Sequence, residues 1–337
     1  MSHFVNLVSL GKPEEEVNLE GWAYTCISDK MEPFCECTED KRYLEFYDTT
    51  EDVKVGYLSD KFDCFRLPNG SIVPYYHKSV KGFVIIDGVV YQRCAGRLKH
   101  AKRTKKARKL KALPDYPLMK FYSTEEEYAA EYLCYWYDEE QKAYGYWSNP
   151  NAFWDWYQIG GRWPFMFLVK EDCTNVILGS RSWATEKAVR LAPQGYKWVA
   201  GARKQDIEWE LMKSIGIESA TKTFHKLEAA FRTGVLPKEY DLHEITDNGI
   251  VSFGNSSYIK DETLEQYLER YEFAPDNEYP ISPYSFLKDG EYSSNGNMGW
   301  FGISSNDKPY DEWRQIVQEF VASIPNEDYI VTVDCHI

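Results

Sequence analysis

No apolar run in this chain approaches the ~20 consecutive residues of a membrane-spanning helix. The opening MSHFVNLVSL has neither the basic start nor the apolar core and cleavage site of a secretory signal. A cytoplasmic protein without membrane contact is the expectation. Positive charge is scarce: 39 Lys and Arg face 53 Asp and Glu, for a net charge of −14. A general nucleic-acid binder needs a broad positive field, which argues against that class apart from one basic segment. Zinc-site spacing is missing as well. Of eight cysteines only Cys35 and Cys37 lie close together, and no second Cys or His pair completes a set. A chain this long builds a core without disulfides, so reduced thiols are expected. Also absent are a P-loop, a Rossmann glycine pattern, a Gly-x-Ser-x-Gly elbow and a His-Glu-x-x-His helix. The common nucleotide and hydrolase readings go with them, and the sequence identifies no cofactor.

Aromatic residues are plentiful, at 16% with 26 Tyr and 11 Trp. Those two types bury a ring and keep a polar tip, which suits pocket walls as well as cores. HFVNLVSL (His3–Leu10) reads as a buried strand, and YIVTVDCHI (Tyr329–Ile337) as another. FVIIDGVVYQ (Phe83–Gln92) reads as a hairpin turning at Asp87-Gly88. Ser123–Gln141 has a capping-box start, Ser123 with Glu126, and a Tyr128, Tyr132, Tyr135 and Trp136 stripe at helical spacing. Further helices are expected at Lys204–Ile215, Ser219–Thr233, Asp261–Tyr271 and Tyr310–Ser323. Phe273–Pro283 carries Pro and aromatics rather than Gly and Ser, and reads as an ordered loop. The fold class is therefore α+β. A mixed or antiparallel sheet would hold the N- and C-terminal strands in its core, with several helices packed on it. One domain over 1–337 is expected. RLKHAKRTKKARKLKALP (97–114), with nine Lys or Arg and no acid, would be an inserted loop or arm.

NPNAFWDWYQIGGRWPFMF (Asn149–Phe167) is the densest stretch. A two-residue hairpin at Gly160-Gly161 would put Trp154, Trp156, Trp163, Phe165 and Phe167 on one buried face. Asp155, Tyr157 and Arg162 would share the other face. Arg162 is a fork of donors suited to phosphate or carboxylate, and the Gly160-Gly161 backbone could form an anion nest. The alternative is an Arg162–Asp155 pair that only holds the structure together. Trp154 and Trp156 are candidate walls of a ligand site, and core residues in the alternative.

At the other end, Thr332, Asp334 and His336 alternate away from Val331, Val333, Cys335 and Ile337. An Asp-x-His pair can ligate a metal, or the Asp can orient the His as a general base. If the first and last strands are neighbours, His3 joins Asp334 and His336 in a two-His, one-carboxylate metal set. Asp155, Asp334 and His336 are then the catalytic candidates, with satisfied structural polar groups as the alternative. A third stretch, NGNMGWFGISS (Asn295–Ser305), could present Trp300 to a ligand or form a short strand.

These segments resemble a family of bacteriophage proteins of uncharacterised activity. The resemblance rests on MSHF (Met1–Phe4), YLEFYDTTED (Tyr43–Asp52), NPNAFWDWYQIGGRW (Asn149–Trp163), ARKQDIEWELM (Ala202–Met212), NMGWFGI (Asn297–Ile303) and VDCHI (Val333–Ile337). It spans the chain in order. Some relatives carry a Cys-x-x-Cys insert where this chain has Cys94 alone beside the basic run, and Phe153 stands where Lys is common. The resemblance implies a phage origin and a host-cytoplasm setting, but no activity. The resulting expectation is an accessory protein acting on host defence or metabolism. It would bind a phosphorylated small molecule, such as a nucleotide signal, or a host defence protein. The alternative is a phosphoester or nucleotide hydrolase, metal-dependent or not. A third reading is an inhibitor whose acidic surface mimics nucleic acid.

Overall fold

The computed structural model describes residues 2–14, 17–59, 64–74, 82–87, 89–93, 110–116, 118–119, 122–252, 255–271, 273–299 and 302–337. The chain folds as two compact units, 1–43 with 151–337, and 44–150. No Gly/Ser-rich linker marks either junction, which is why the sequence reads as one domain. The fold is α+β, and among the described residues no helix is long and apolar enough to cross a membrane.

The larger unit is built on an eight-stranded mixed sheet. Its two central strands are the first and last of the chain, β1 (His3–Leu10) and, at the other end, Tyr329–His336. They pair antiparallel over their whole length, from His3 opposite His336 to Leu10 opposite Tyr329. The ladder continues one step further: Ser2 and Ile337 exchange backbone hydrogen bonds of 3.0 and 3.1 Å.

In chain order the other parts that matter here are α1 (Leu19–Met31), β2 (Trp156–Gly161), β3 (Ser180–Arg181), α2 (Trp209–Thr233), β4 (Ser285–Lys288), α3 (Tyr310–Ser323) and the last strand, β5 (Tyr329–His336). β4 runs parallel beside β1. The other edge of β5 is shared. Gly201–Arg203 pairs with its first half and β2 with its second, both antiparallel. β3 then adds to β2 in parallel, opposite Gly160 and Gly161.

β5 is buried on both faces, so it reads as a continuous apolar run broken only by Thr332 and Asp334. On one face α1 presents Ala23, Ile27 and Met31 to Phe4, Val8, Val331, Val333 and Cys335. On the other, α3 presents Trp313, Val317, Phe320 and Val321 to Leu7 and Ile330, with Met212 of α2 in the same cluster. The α3 spacing is that of one helical stripe. The loop 273–283 adds Tyr279 and Ile281 to this core, as an ordered connection does.

Some elements differ from the sequence reading. The helices expected at Lys204–Ile215 and Ser219–Thr233 are one 25-residue α-helix, α2, preceded by a short 3-10 turn. Gly216 does not break it: a side chain there would collide with Phe273.

In the smaller unit, the helix expected over Ser123–Gln141 stops at Leu133, where Cys134 turns left-handed at φ 58°. Its cap is Thr124, which accepts from the Glu127 N–H. Trp136 then starts a strand and is exposed, so of the supposed stripe only Tyr128 is buried. The hairpin Phe83–Ile86 with Val89–Arg93 forms in the expected register, and Asp87 has φ 49°. Most of the basic segment lies outside the described residues; Leu110–Ala112 form a strand beside Val89–Arg93.

Candidate functional site

Alternation along β5 sends Thr332, Asp334 and His336 to the α3 face. The antiparallel register then places His3 opposite His336, and Val5 opposite Asp334. From the other edge, β2 places Trp156 opposite His336 and Gln158 opposite Asp334. Three rings therefore meet across three neighbouring strands. The His3 and His336 centroids are 4.9 Å apart, and Trp156 stands edge-on to them at 6.3 and 6.4 Å.

Each imidazole is held by its own carboxylate. His3 Nδ1 donates to Asp334 Oδ1 at 2.8 Å, and His336 Nδ1 donates to Asp155 Oδ1 at 2.6 Å. A carboxylate only accepts, so each pair sets the tautomer: the proton is on Nδ1 and Nε2 is left for chemistry. Neither Nε2 has a hydrogen-bond partner among the described residues.

The two carboxylates sit in different surroundings. Asp155 is partly exposed, with 36% of its side chain open to solvent. Asp334 is fully buried, where a lone charge is very unfavourable. Its second oxygen accepts the Arg162 backbone N–H at 2.9 Å. Gly161 makes this possible. It has φ 51°, and a Cβ there would overlap the Asp334 carboxylate.

The Gly160-Gly161 turn is thus an anion nest in the expected sense, but its anion is the protein's own Asp334. It does not turn a hairpin. The chain reverses between Gly160 and Trp163, where the Trp163 N–H donates to Gly160 O. Phe167–Lys170 then leaves to pair with Tyr196–Val199 instead of returning along β2.

Three ligand assignments change with it. Arg162 contributes its backbone N–H to Asp334, and its Nε is buried without a partner among the described residues. Tyr157 lies on the opposite face, in the α1 cluster and near Ser28. Trp154 is 1% exposed, packed edge-on to Tyr292 and beside Phe34, while Trp156 is 48% exposed. The one buried aromatic face is therefore split between core and site. Trp300 lies outside the described residues.

The histidine pair lies beside an open cavity of about 590 Å3 whose walls include Trp156, Gln158, Arg181, Ser182 and Trp183. Arg181 is a second cation at this site, one the sequence reading did not single out. Parallel pairing of β3 sets it opposite Gly161. Its Nη1 donates to Glu186 O and Ala188 O at 3.5 and 3.3 Å, and its plane lies over Phe165. Among the described residues it has no carboxylate partner, so its charge is available to an anion. The Ser182 N–H and Thr185 hydroxyl both donate to Gly161 O, tying this loop to the turn that holds Asp334. The signal in the sequence was GSRSW (Gly179–Trp183), a small and polar run ending in an aromatic.

His3, Asp334 and His336 do come together, but as couples: His3 with Asp334, and His336 with Asp155. Among the described residues no group of three or more His, Cys, Asp or Glu side chains is placed to hold a metal ion. Both Nδ1 atoms and both Asp334 oxygens are engaged within the protein, and the ring nitrogens left over are the two Nε2 atoms. Comparison with known families, curated proteins and solved structures finds no match to this chain.

Proposed function

We propose that the protein cleaves phosphoesters of a nucleotide by general acid–base catalysis through His3 and His336. The observation that carries this reading is the pair itself: two imidazoles 4.9 Å apart, each with Nδ1 on a carboxylate. One neutral Nε2 takes the proton of the attacking hydroxyl as the new P–O bond forms. The other, protonated, gives its proton to the leaving oxygen as the old P–O bond breaks. No hydroxyl or thiol is hydrogen-bonded to either ring among the described residues. The nucleophile is therefore water or a hydroxyl of the substrate, which separates this site from a serine or cysteine acyl-transfer centre. Arg181 supplies the positive charge that phosphoryl transfer needs near its non-bridging oxygens.

The test is turnover of methyl p-nitrophenyl phosphate and of nucleoside phosphodiesters by the wild type, His3→Gln and His336→Gln. Each substitution is expected to lower kcat about 10²–10⁴-fold. The wild-type rate should follow a bell-shaped pH profile, because one ring must be neutral while the other is protonated. Wild-type turnover in both variants rejects the reading.

Binding without turnover is a second reading, favoured by the unneutralised Arg181 between exposed indoles. Nucleotide affinity that survives His336→Gln, with no product from the wild type, would select it. In either case the resemblance to phage proteins suggests a role in host cytoplasm, consuming or sequestering a nucleotide signal.

A further inference from the structure

His3 belongs to the walls of two cavities that have no other lining residue in common. The first is the Trp156, Trp183 and Arg181 cavity described above. The second, of about 460 Å3, has Tyr284, Asn295 and Lys308 among its walls. A phosphomonoester bound at the histidines would need only one of these spaces.

From this arrangement we infer that the substrate is a phosphodiester carrying a nucleoside on both sides of the scissile phosphorus. This inference rests on the phosphoester reading of the histidine pair.

The first arm is an aromatic one. Trp156 is 48% and Trp183 84% exposed, whereas Trp154, Trp198 and Trp313 are buried in the core. Exposed indoles on a cavity wall are stacking platforms for a base, and such stacking tolerates any base identity. Arg181 beside them meets the phosphate.

The second arm is a selective one. Among the described residues the buried Asn295 side-chain oxygen has no hydrogen-bond partner. A buried acceptor left unpaired is unfavourable, and a ligand that donates to it removes the penalty. Lys308 also faces a polar ligand here. Its ammonium donates to Ser294 O and lies 5.4 Å from the Trp313 ring, with no ion pair among the described residues. Adenine offers the donor that Asn295 lacks through its exocyclic amine, and uracil through N3–H; N3-methyluracil has no donor to offer. One arm is therefore indifferent to the base and the other selects a base that carries a donor.

The experiment compares kcat/KM on adenylyl-adenosine, adenylyl-(N3-methyluridine), (N3-methyluridylyl)-adenosine and methyl p-nitrophenyl phosphate. Every dinucleoside is expected to be cleaved at least about a hundredfold more efficiently than the small ester, since both arms contribute binding. At one of the two positions adenosine is expected to be preferred about tenfold over N3-methyluridine. Asn295→Leu is expected to erase that preference. Trp183→Ala, on an exposed side chain that does not support the fold, is expected to raise KM for all dinucleosides about tenfold.

Equal efficiency on the small ester and the dinucleosides overturns the two-arm inference and leaves the phosphoester reading standing. So does an adenosine preference that survives Asn295→Leu. If Asn295→Leu does not fold, Trp183→Ala decides, and an unchanged KM overturns the inference. No wild-type turnover of any of the four compounds overturns the phosphoester reading itself.

Discussion

His3 and His336 face each other across one antiparallel strand pair, at ring centroids 4.9 Å apart, although 332 residues separate them in the chain. Each is tied by Nδ1 to a different carboxylate, one buried and one partly exposed. Removing those carboxylates should therefore have different results.

Asp334→Asn should cost stability and activity together. Asp334 is 0% exposed, and its oxygens accept from His3 and from the Arg162 N–H. An amide offers one acceptor, so an N–H group faces another donor, at about 1–3 kcal/mol. Asp155→Asn should change stability by less than about 1 kcal/mol, because that carboxylate is partly solvated. Its effect should fall on kcat through the orientation of His336. Urea denaturation alongside turnover of a phosphodiester separates the two. Equal loss of stability in both variants would contradict the burial difference.

Gly161→Ala should be worse than an ordinary substitution at a left-handed glycine. Gly290 has φ 83° and open space around its would-be Cβ, so Gly290→Ala should cost only the backbone strain, about 1–2 kcal/mol. At Gly161 the added carbon also overlaps the Asp334 carboxylate. Larger destabilisation with loss of turnover is expected. Matching melting curves for the two variants would disprove the coupling between the turn and Asp334.

Alkaline pH should destabilise the protein through its buried tyrosines. Burial pushes the Tyr292 hydroxyl well above its ordinary value of 10.0, and Tyr267 likewise. In the window above pH 10 the unfolded chain has lost these protons while the folded one keeps them, so stability falls as pH rises. Below that window the contribution is fully present. Tyr292→Phe should flatten the fall, which urea melts between pH 8 and 11 would show as a smaller slope (range of about 3 pH units around the ordinary tyrosine value). An unchanged slope would mean that Tyr292 does not carry it.

Turnover should survive exhaustive dialysis against EDTA. The acid–base reading gives both Nε2 atoms to proton transfer, so no step calls for a metal. Activity lost on dialysis and restored by one divalent cation would transfer the chemistry to a metal.

The parts of this fold that could be read from sequence are those whose pattern is local. β1, α3 and β5 were legible because continuous apolar runs and a clean helical stripe leave few alternatives. The alternation of Thr332, Asp334 and His336 against Val331, Val333 and Cys335 holds, and so does the meeting of His3 with His336. What failed depended on partners far along the chain. Gly160-Gly161 looks like a hairpin turn, but the strands flanking it pair with β5 and with Tyr196–Val199. Trp154 and Trp156 were both candidate site walls with the core as the alternative, and local alternation did not reveal that Trp154 is buried while Trp156 is exposed. Arg181 was passed over for Arg162 because nothing local reveals the parallel addition of β3 beside β2. Asp155 and His336 were each legible as candidates, and their bond to one another was not.

The pairing of β1 with β5 also has a consequence for synthesis. During translation β1 leaves the ribosome long before β5 exists, so the slot beside it stays vacant for most of elongation. His3 has no Asp334 to hold its ring in that interval, and His336 has not been made. Closing so long a segment is entropically only slightly dearer than closing one half its length, but it cannot happen early. Arrival of that strand thus completes the central sheet and the histidine pair in one event.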